Sequence, residues 1–290
     1  MKNPIIHALW IGGFVFLNLF LWQEVLKGNA LTVSFFDVGQ GDSSFIETPQ
    51  RKQILVDGGP DATVLEKLGK AMPFWDRSID LVILSHPAQD HVAGLLDVLK
   101  AYKVKNILWT GIEKETVIFT QWKEALLKEQ KEGARVFLAH AGQRIDLGEN
   151  ALCPQHIDVL YPDSIAGTLV KNDDNDTSIV ARFEYCSHSF LFTGDLTKKG
   201  EKILLALSSA EGLSQKAPVD STILKVGHHG SKTSSSAQFV EAVSPEVAVI
   251  SAGRKNRYGH PNLETLETLA RYGIEIRRTD KEGDIVFRFQ

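Results

Sequence analysis

From residue 31 onward the chain runs short apolar strands back to back, then alternates strands with helices, and then does both again. Leu31-Phe36, Ser44-Thr48 and Gln53-Val56 read as three strands separated by Gly- and Pro-containing turns. A helix over 62–71 ends before Pro73, and strand 80–84, helix 92–100, strand 106–108, an amphipathic helix over 113–132 and strand 135–138 follow. The second pass has strand 157–160 and strands 178–183 and 189–192 as a hairpin through Glu184-Tyr185. Helix 198–207, strand 221–225, helix 235–243, strand 247–250, helix 263–272 and strands 274–277 and 284–289 complete it. Antiparallel runs that pass into strand–helix alternation, twice over, predict two mixed sheets packed face to face with helices outside, an α/β, four-layer αββα sandwich. No Pro-, Gly- or Ser-rich linker divides residues 31–290, so they are expected to form one domain.

Residues 1–30 follow a different rule. Ile5 to Trp22 holds no charged side chain, with His7 and Asn18 as polar interruptions, and Lys2, Glu24 and Lys27 flank it. Eighteen such residues reach about 27 Å as a helix, near the lower limit for spanning hydrocarbon. A signal anchor with its positive amino terminus inside and the rest of the chain exported is the expectation. A cleaved signal peptide, with Gly28 and Ala30 as a weak processing site, and a buried core helix are the other readings. The formal net charge of −4 excludes a global attraction to nucleic acid, so any such binding needs a local basic patch. Cys153 and Cys186 are too few for a disulfide framework and read as buried thiols, with pairing open to them in an oxidising compartment.

Chemistry-bearing residues gather just past the expected strand ends. Ser85-His86-Pro87-Ala88-Gln89-Asp90-His91 puts two imidazoles and a carboxylate on the loop between strand 80–84 and helix 92–100, a donor set suited to zinc or manganese. Asp37-Val38-Gly39-Gln40-Gly41-Asp42-Ser43 follows the first strand, and Val56-Asp57-Gly58-Gly59 the third. Thr193-Gly194-Asp195 and Gly227-His228-His229-Gly230-Ser231 leave two strands of the second half, and Tyr258-Gly259-His260-Pro261 comes after strand 247–250. A lone Gly-Asp is more often a turn, and a lone histidine more often surface or core than ligand. Six loops of one kind carrying Asp and His in spaced order are far more specific. The amide-rich stretch Lys171 to Asp176 reads by composition as a solvated loop.

His86-x-x-x-Asp90-His91, then Thr193-Gly194-Asp195, then His228 resembles the metallo-β-lactamase superfamily, whose signature is H-x-H-x-D-H followed by a distant His, Asp and His. The Asp37–Ser43 and Val56–Gly59 segments, Asn175-Asp176-Thr177-Ser178-Ile179-Val180, Lys225–Ser231 and Tyr258–Pro261 are similar to the carboxy-terminal domain of ComEC-type competence proteins. The resemblance covers residues 31–290 and implies a metallo-β-lactamase-like sandwich with one or two divalent metal ions (zinc or manganese) at the sheet edges. It implies an extracytoplasmic nuclease acting on DNA. A single apolar segment before the domain gives the expectation of a membrane-anchored, stand-alone relative served by a separate DNA-channel protein.

Carried over by position, His86 serves one metal, Asp90 and His91 a second, Asp195 bridges, and His228 completes the set. The mid-chain histidine of the superfamily is replaced by the Asn175 segment, so an oxygen of Asn175 or Asp176 is expected at the first metal. The second triplet position, His or Asp elsewhere, is Ala88, which has no donor atom, and Gln89 adjoins it. Asp42, Asp57 and His229 are expected to order the ligand loops from behind. Asp90 is the carboxylate expected to orient the attacking water, and His260 the acid for the leaving oxygen. Lys232, Arg254, Lys255 and Arg257 are candidate phosphate contacts, with Tyr258 placed to stack on a base. A hydrolase of small esters, lactams or phosphorylated wall components, and a catalytically weakened DNA- or wall-binding module, are the alternatives.

Overall fold

A computed structural model describes residues 9–16, 18, 30–148, 153–163, 175–209 and 219–289. The first sheet holds β1 (Leu31–Phe35), β2 (Ser44–Glu47), β3 (Gln53–Val56), β5 (Leu81–Ile83), β7 (Asn106–Trp109), β8 (Arg135–Leu138) and the last strand, β16 (Ile285–Phe289), in the order β16-β1-β2-β3-β5-β7-β8. The second holds β9 (Arg144–Asp146), β10 (Gln155–Tyr161), β11 (Val180–Tyr185), β12 (His188–Phe192), β13 (Ile223–Lys225), β14 (Val247–Ile250) and β15 (Glu275–Arg278), with β15 and β9 at its edges. A two-residue pair, β4 (Ser78–Ile79) with β6 (Lys103–Val104), sits beside the first sheet.

Period-two alternation with both faces covered explains the layers. On β3 and β5, Ile54, Val56, Leu81 and Ile83 point into a central core shared with Ile157, Val159, Phe183, Phe190, Phe192 and Val249 of the second sheet. Their alternates Leu55 and Val82 face outward onto α1 (Thr63–Ala71), α2 (Gln89–Ala101) and α3 (Val117–Lys131), which contribute Leu68, Leu95, Phe119 and Trp122. On the other side Leu191, Leu224 and Ala248 meet α4 (Lys198–Ser209), α5 (Ala237–Val243) and α6 (Leu263–Arg271) through Leu204, Val240 and Leu269. Three apolar layers between four layers of structure make the expected αββα sandwich. The short α7 (Thr279–Glu282) leads into β16.

Several expectations need correction. Helix α2 begins at Gln89, so Asp90 and His91 lie in its first turn rather than on a loop. The β11–β12 turn falls at Cys186-Ser187, two residues later than expected, with Cys186 at φ 54°. Cys153 and Cys186 form a disulfide with Cα atoms 4.7 Å apart, not two buried thiols. Pairing register is the reason: Gln155 lies opposite Tyr185, which brings the start of β10 to the β11–β12 turn. At the amino terminus residues 9–16 are helical. No helix among the described residues is long and apolar enough to cross a membrane, and the rest of the expected anchor lies largely outside them. Residues 171–174 of the amide-rich stretch also lie outside.

Candidate metal centre

The loops past the carboxyl ends of β3, β5, β12 and β13 converge at one end of the sandwich, joined by the β1–β2 loop. Two glycines allow the approach. A Cβ on Gly94 of α2 would overlap the carbonyl oxygen of Gly58, and one on Gly58 the backbone nitrogen of Leu95. In their absence Gly58 N donates to His91 O (2.8 Å) and Gly94 N to Gly59 O (3.0 Å). Asp42 N donates to Asp90 O at 3.2 Å, which ties the β1–β2 loop to the same helical turn. Asp57, His228 and His229 all sit at positive φ, at 59°, 50° and 55°. Three non-glycine residues of one site in a sparsely populated region mark a backbone held for chemistry.

Four imidazole Nε2 atoms surround the Asp195 carboxylate. His91 lies 3.4 Å from Oδ1, and His229, His228 and His86 lie 3.6, 3.8 and 3.9 Å from Oδ2. Three of the rings are held from behind through Nδ1. His91 Nδ1 is 2.9 Å from Asp57 Oδ2, while Ser85 N donates to the other Asp57 oxygen at 2.8 Å. His229 Nδ1 is 3.2 Å from Asp42 Oδ1 and 3.1 Å from Ser251 O. Those partners only accept, so Nδ1 keeps its proton and Nε2 is the nitrogen left to bind an ion. His86 Nδ1 is 3.1 Å from Ser85 Oγ. The fourth ring, His228, has the Thr233 hydroxyl (3.1 Å) and the Asn175 amide nitrogen (3.4 Å) behind it, and no carboxylate among the described residues fixes its tautomer.

His86 and His91 are fully buried, yet their Nε2 atoms, like Asp195 Oδ1, have no hydrogen-bond partner among the described residues. Buried polar atoms left unpaired and aimed at one space fit a cation. Groups with donor atoms close enough to share an ion include His86-His91-Asp195 and Asp90-His91-His229. Imidazole and carboxylate with no thiolate suit zinc or manganese.

Electrostatics agree. Burial pushes the His91 imidazolium down, but Asp195 and Asp57 outweigh it and raise it well above the usual range. His229 is likewise disfavoured by burial and raised to about 10 by Asp195, Asp42 and Asp90. Burial and the neighbouring His91 lower His86 to about 3. Asp195, opposed by burial, is held well below the carboxylate range by His229, His91 and His86.

The placements differ from expectation in particulars. His229, expected behind the ligands, lies in the groups whose donor atoms are close enough to share an ion, beside Asp90 (Nε2 to Oδ2, 3.2 Å). His228, expected as the ligand, is more exposed and makes its nearest carboxylate contact at 3.8 Å. Asn175 lies against His228. Asp176 is turned away: its Oδ1 accepts from the backbone of Thr197 (3.2 Å) and Gly200 (3.3 Å) and from the Thr197 hydroxyl at the start of α4. Gln89 is exposed, and Ala88 is the N-cap of α2 without a side-chain cap. Asp42 and Asp57 stand behind the histidines as expected. His260, expected as an acid, is lowered to about 4 by burial and by His229 and His228, so it is uncharged at neutral pH. Its ring lies 5.6 Å from that of His228 and 5.6 Å from Tyr258, nearly parallel to the latter at 22°. The Arg257 guanidinium lies 5.1 Å over Tyr258. Lys232, Arg254, Lys255 and Arg257 are exposed around this loop. Lys225, to which the motif reading gave no role, is buried beside Asp42; its signal was a lysine closing a strand after Ile223 and Leu224.

Residues 36–254 match the metallo-beta-lactamase superfamily, and the chain belongs to it. Over 278 residues it is 32% identical to ComE operon protein 3 of Bacillus subtilis, a match covering 89% of this chain and 33% of that protein. It is 32% identical over 285 residues to Competence protein ComA of Neisseria gonorrhoeae, covering 97% and 35%. The chain thus spans about a third of the length of these relatives. Among solved structures it is similar to CmlA, a diiron beta-hydroxylase from Streptomyces venezuelae (TM-score 0.57, 15% identity, 89% of this chain and 54% of that one). It is also similar to Igni18, a metallo hydrolase from Ignicoccus hospitalis (TM-score 0.53, 16% identity, 89% and 100%). At such identities the likeness shows the fold alone, and a hydroxylase beside a hydrolase illustrates that this fold does not choose the reaction.

Proposed function

We propose that the protein is a metal-dependent phosphodiesterase that cleaves DNA during its uptake. The observation that carries this reading is the ladder Arg257–Tyr258–His260, which runs from an exposed cation over an aromatic face to the histidines of the metal centre. Such a surface suits a backbone phosphate and a stacked base together. Asn256 fixes the loop: its Nδ2 donates to Gly253 O (2.8 Å) and His260 O (2.7 Å), and its Oδ1 accepts from His260 N (2.9 Å). Tyr258 therefore stands preorganised with 57% of its surface exposed.

Divalent ions held by His86, Asp90, His91, Asp195 and His229 would supply Lewis acidity and a readily ionised water. Asp90, on the open side of the centre, orients that water, and burial is overcome by His229 and His91 to keep it ionised. Lys232, Arg254 and Lys255 meet the flanking phosphates. The competence proteins among the relatives support DNA uptake as the setting, with a DNA-channel protein as partner. The Cys153–Cys186 disulfide supports an oxidising compartment. Together with the uncharged run 5–22 it favours a domain anchored on the outer face of the cytoplasmic membrane. Ala88, which leaves the first metal short of a donor, favours a second reading as a weakened DNA-binding module.

The test is cleavage of single-stranded DNA by the full chain with manganese and then zinc, with binding measured in parallel. Metal-dependent cleavage abolished by a chelator is expected. Binding without cleavage under every metal condition would replace the enzyme by the module.

A further inference from the structure

Lys225 ends β13 with 3% of its surface exposed. It shares a face with Ile223, and its register neighbours Phe192 and Val249 belong to the apolar layer between the sheets. A lysine in that layer costs free energy unless a partner and a purpose come with it. Its ammonium contacts Asp42 Oδ2, from the β1–β2 loop of the opposite sheet, and lies 3.4 Å from the carbonyl oxygen of Gly194, the residue before Asp195. The other Asp42 oxygen is 3.2 Å from His229 Nδ1. Asp42 is also placed to join a metal site itself, with Asp195 and His229 or with Asp57 and His91.

We propose that Lys225 is a positioning residue for the metal centre. Its ammonium commits Asp42 to His229 Nδ1, so that His229 presents Nε2 to the ion and Asp42 stays out of the donor set. This rests on the metal-centre reading, not on the substrate. Three elements of the second sheet's site end, β13, the Gly194 turn and the His229 turn, are thereby referenced to one loop of the first. Without the ammonium, Asp42 would be an uncompensated carboxylate close to Asp57 and Asp195, free to turn toward the ion or to take a proton. Turned toward the ion it no longer holds the His229 ring, and protonated it holds the ring only as a neutral, weaker acceptor.

The experiment uses the full chain and its Lys225→Met, Lys225→Arg and Asp42→Asn variants. Zinc and manganese affinity is read by competition with a chromophoric chelator, bound ions by elemental analysis, and Tm in excess chelator. Lys225→Met should lose about 10–100-fold in metal affinity, as do variants that remove a partner behind a ligand, and Lys225→Arg should recover most of it. Asp42→Asn should show the same loss, and the Lys225→Met/Asp42→Asn pair little more than either alone, because the residues act through one chain. In 15N spectra the His229 Nδ1 resonance should shift as the charged acceptor Asp42 is lost and Ser251 O is left to accept from it. A lowered Tm with unchanged affinity and ion count would make Lys225 a bolt between the sheets and overturn the proposal. So would an additional ion bound by Lys225→Met, which would mean that the ammonium stands in a metal's place. If Lys225→Met does not fold, unchanged affinity in Asp42→Asn overturns it as well.

Discussion

In both sheets three antiparallel pairings pass into three parallel ones, and in both the chemistry lies past the carboxyl ends of strands near that change. The loops they present are unlike. Those of the first sheet are sealed apart from Asp90: Asp57, His86 and His91 are at most 1% exposed, and a glycine-packed helix turn clamps them. Those of the second carry two left-handed histidines and then an open loop where Lys232, Arg254, Lys255, Arg257 and Tyr258 face solvent. The first half is therefore a grip and the second a contact surface, with Asp195 as the junction that all four imidazoles address.

Removing the junction should have the largest effect. Asp195→Ala takes the shared carboxylate from both halves and leaves His91 and His229 without their main counter-charge. It is expected to abolish measurable metal binding and to lower any metal-dependent turnover at least about a thousandfold, the equivalent of about 4 kcal/mol. Elemental analysis after gel filtration checks the first, initial rates the second. Retained stoichiometry would mean that the halves bind metal independently.

Acidity tests the same junction more gently. In the metal-free site, against burial, Asp195 and Asp57 raise His91, from the first sheet, well above the usual imidazole range, and Asp195 and Asp42 raise His229, from the second, to about 10. Each therefore holds a proton at pH 7, and an ion that takes its Nε2 must displace it. His86, lowered to about 3, has none to give. Apparent affinity should then rise with pH through neutrality, by more than one power of ten per pH unit where an ion takes both rings, with protons released. Calorimetry in buffers of different ionisation enthalpy reads their number. A slope of one would assign the ion to one half alone.

The sequence carried the grip better than the contact surface, for physical reasons. The αββα order was legible because each strand's two-residue period and each helix's amphipathic period survive in the residues themselves. Asp90, His91 and Asp195 could be placed because short motifs keep them at fixed distances from strand ends. What depended on pairing register was hidden, including the Cys153–Cys186 disulfide and the meeting of Lys225 with Asp42 across the sandwich. The different surroundings of His228 and His229 were hidden too. Adjacent residues at positive φ point in different directions, and only the backbone turn shows which one has Asp42 behind it.

On the contact surface a smaller loss is expected. Tyr258→Ala removes the exposed ring between Arg257 and His260 without touching a ligand. Stacking of a base on an aromatic face contributes about 1–3 kcal/mol, so affinity for single-stranded DNA should fall about 5- to 150-fold while metal content stays unchanged. Replacing the stacked nucleotide of the DNA by an abasic one should cost the wild type a similar factor and the variant little. Equal losses for both proteins would remove Tyr258 from the surface.

The smallest effect is expected at Ala88, where the grip itself is incomplete. The residue has extended backbone (φ −84°, ψ 149°) at the N-cap of α2, and its carbonyl already accepts from His91 N and Val92 N. Ala88→Asp places a carboxylate where two demands compete. Turned along the helix axis it would cap a free N–H of the first turn and stabilise the fold by about 1 kcal/mol. Turned toward His86 it would give the first metal the donor it lacks. We expect the metal to win, because a charge-assisted bond to a divalent ion outweighs a cap. Ion content under limiting metal should then rise, and the Tm increment should be larger with metal than in chelator. A gain in Tm that is the same with and without metal would show the new carboxylate serving only the helix, and the first site would have to work with the donors already present.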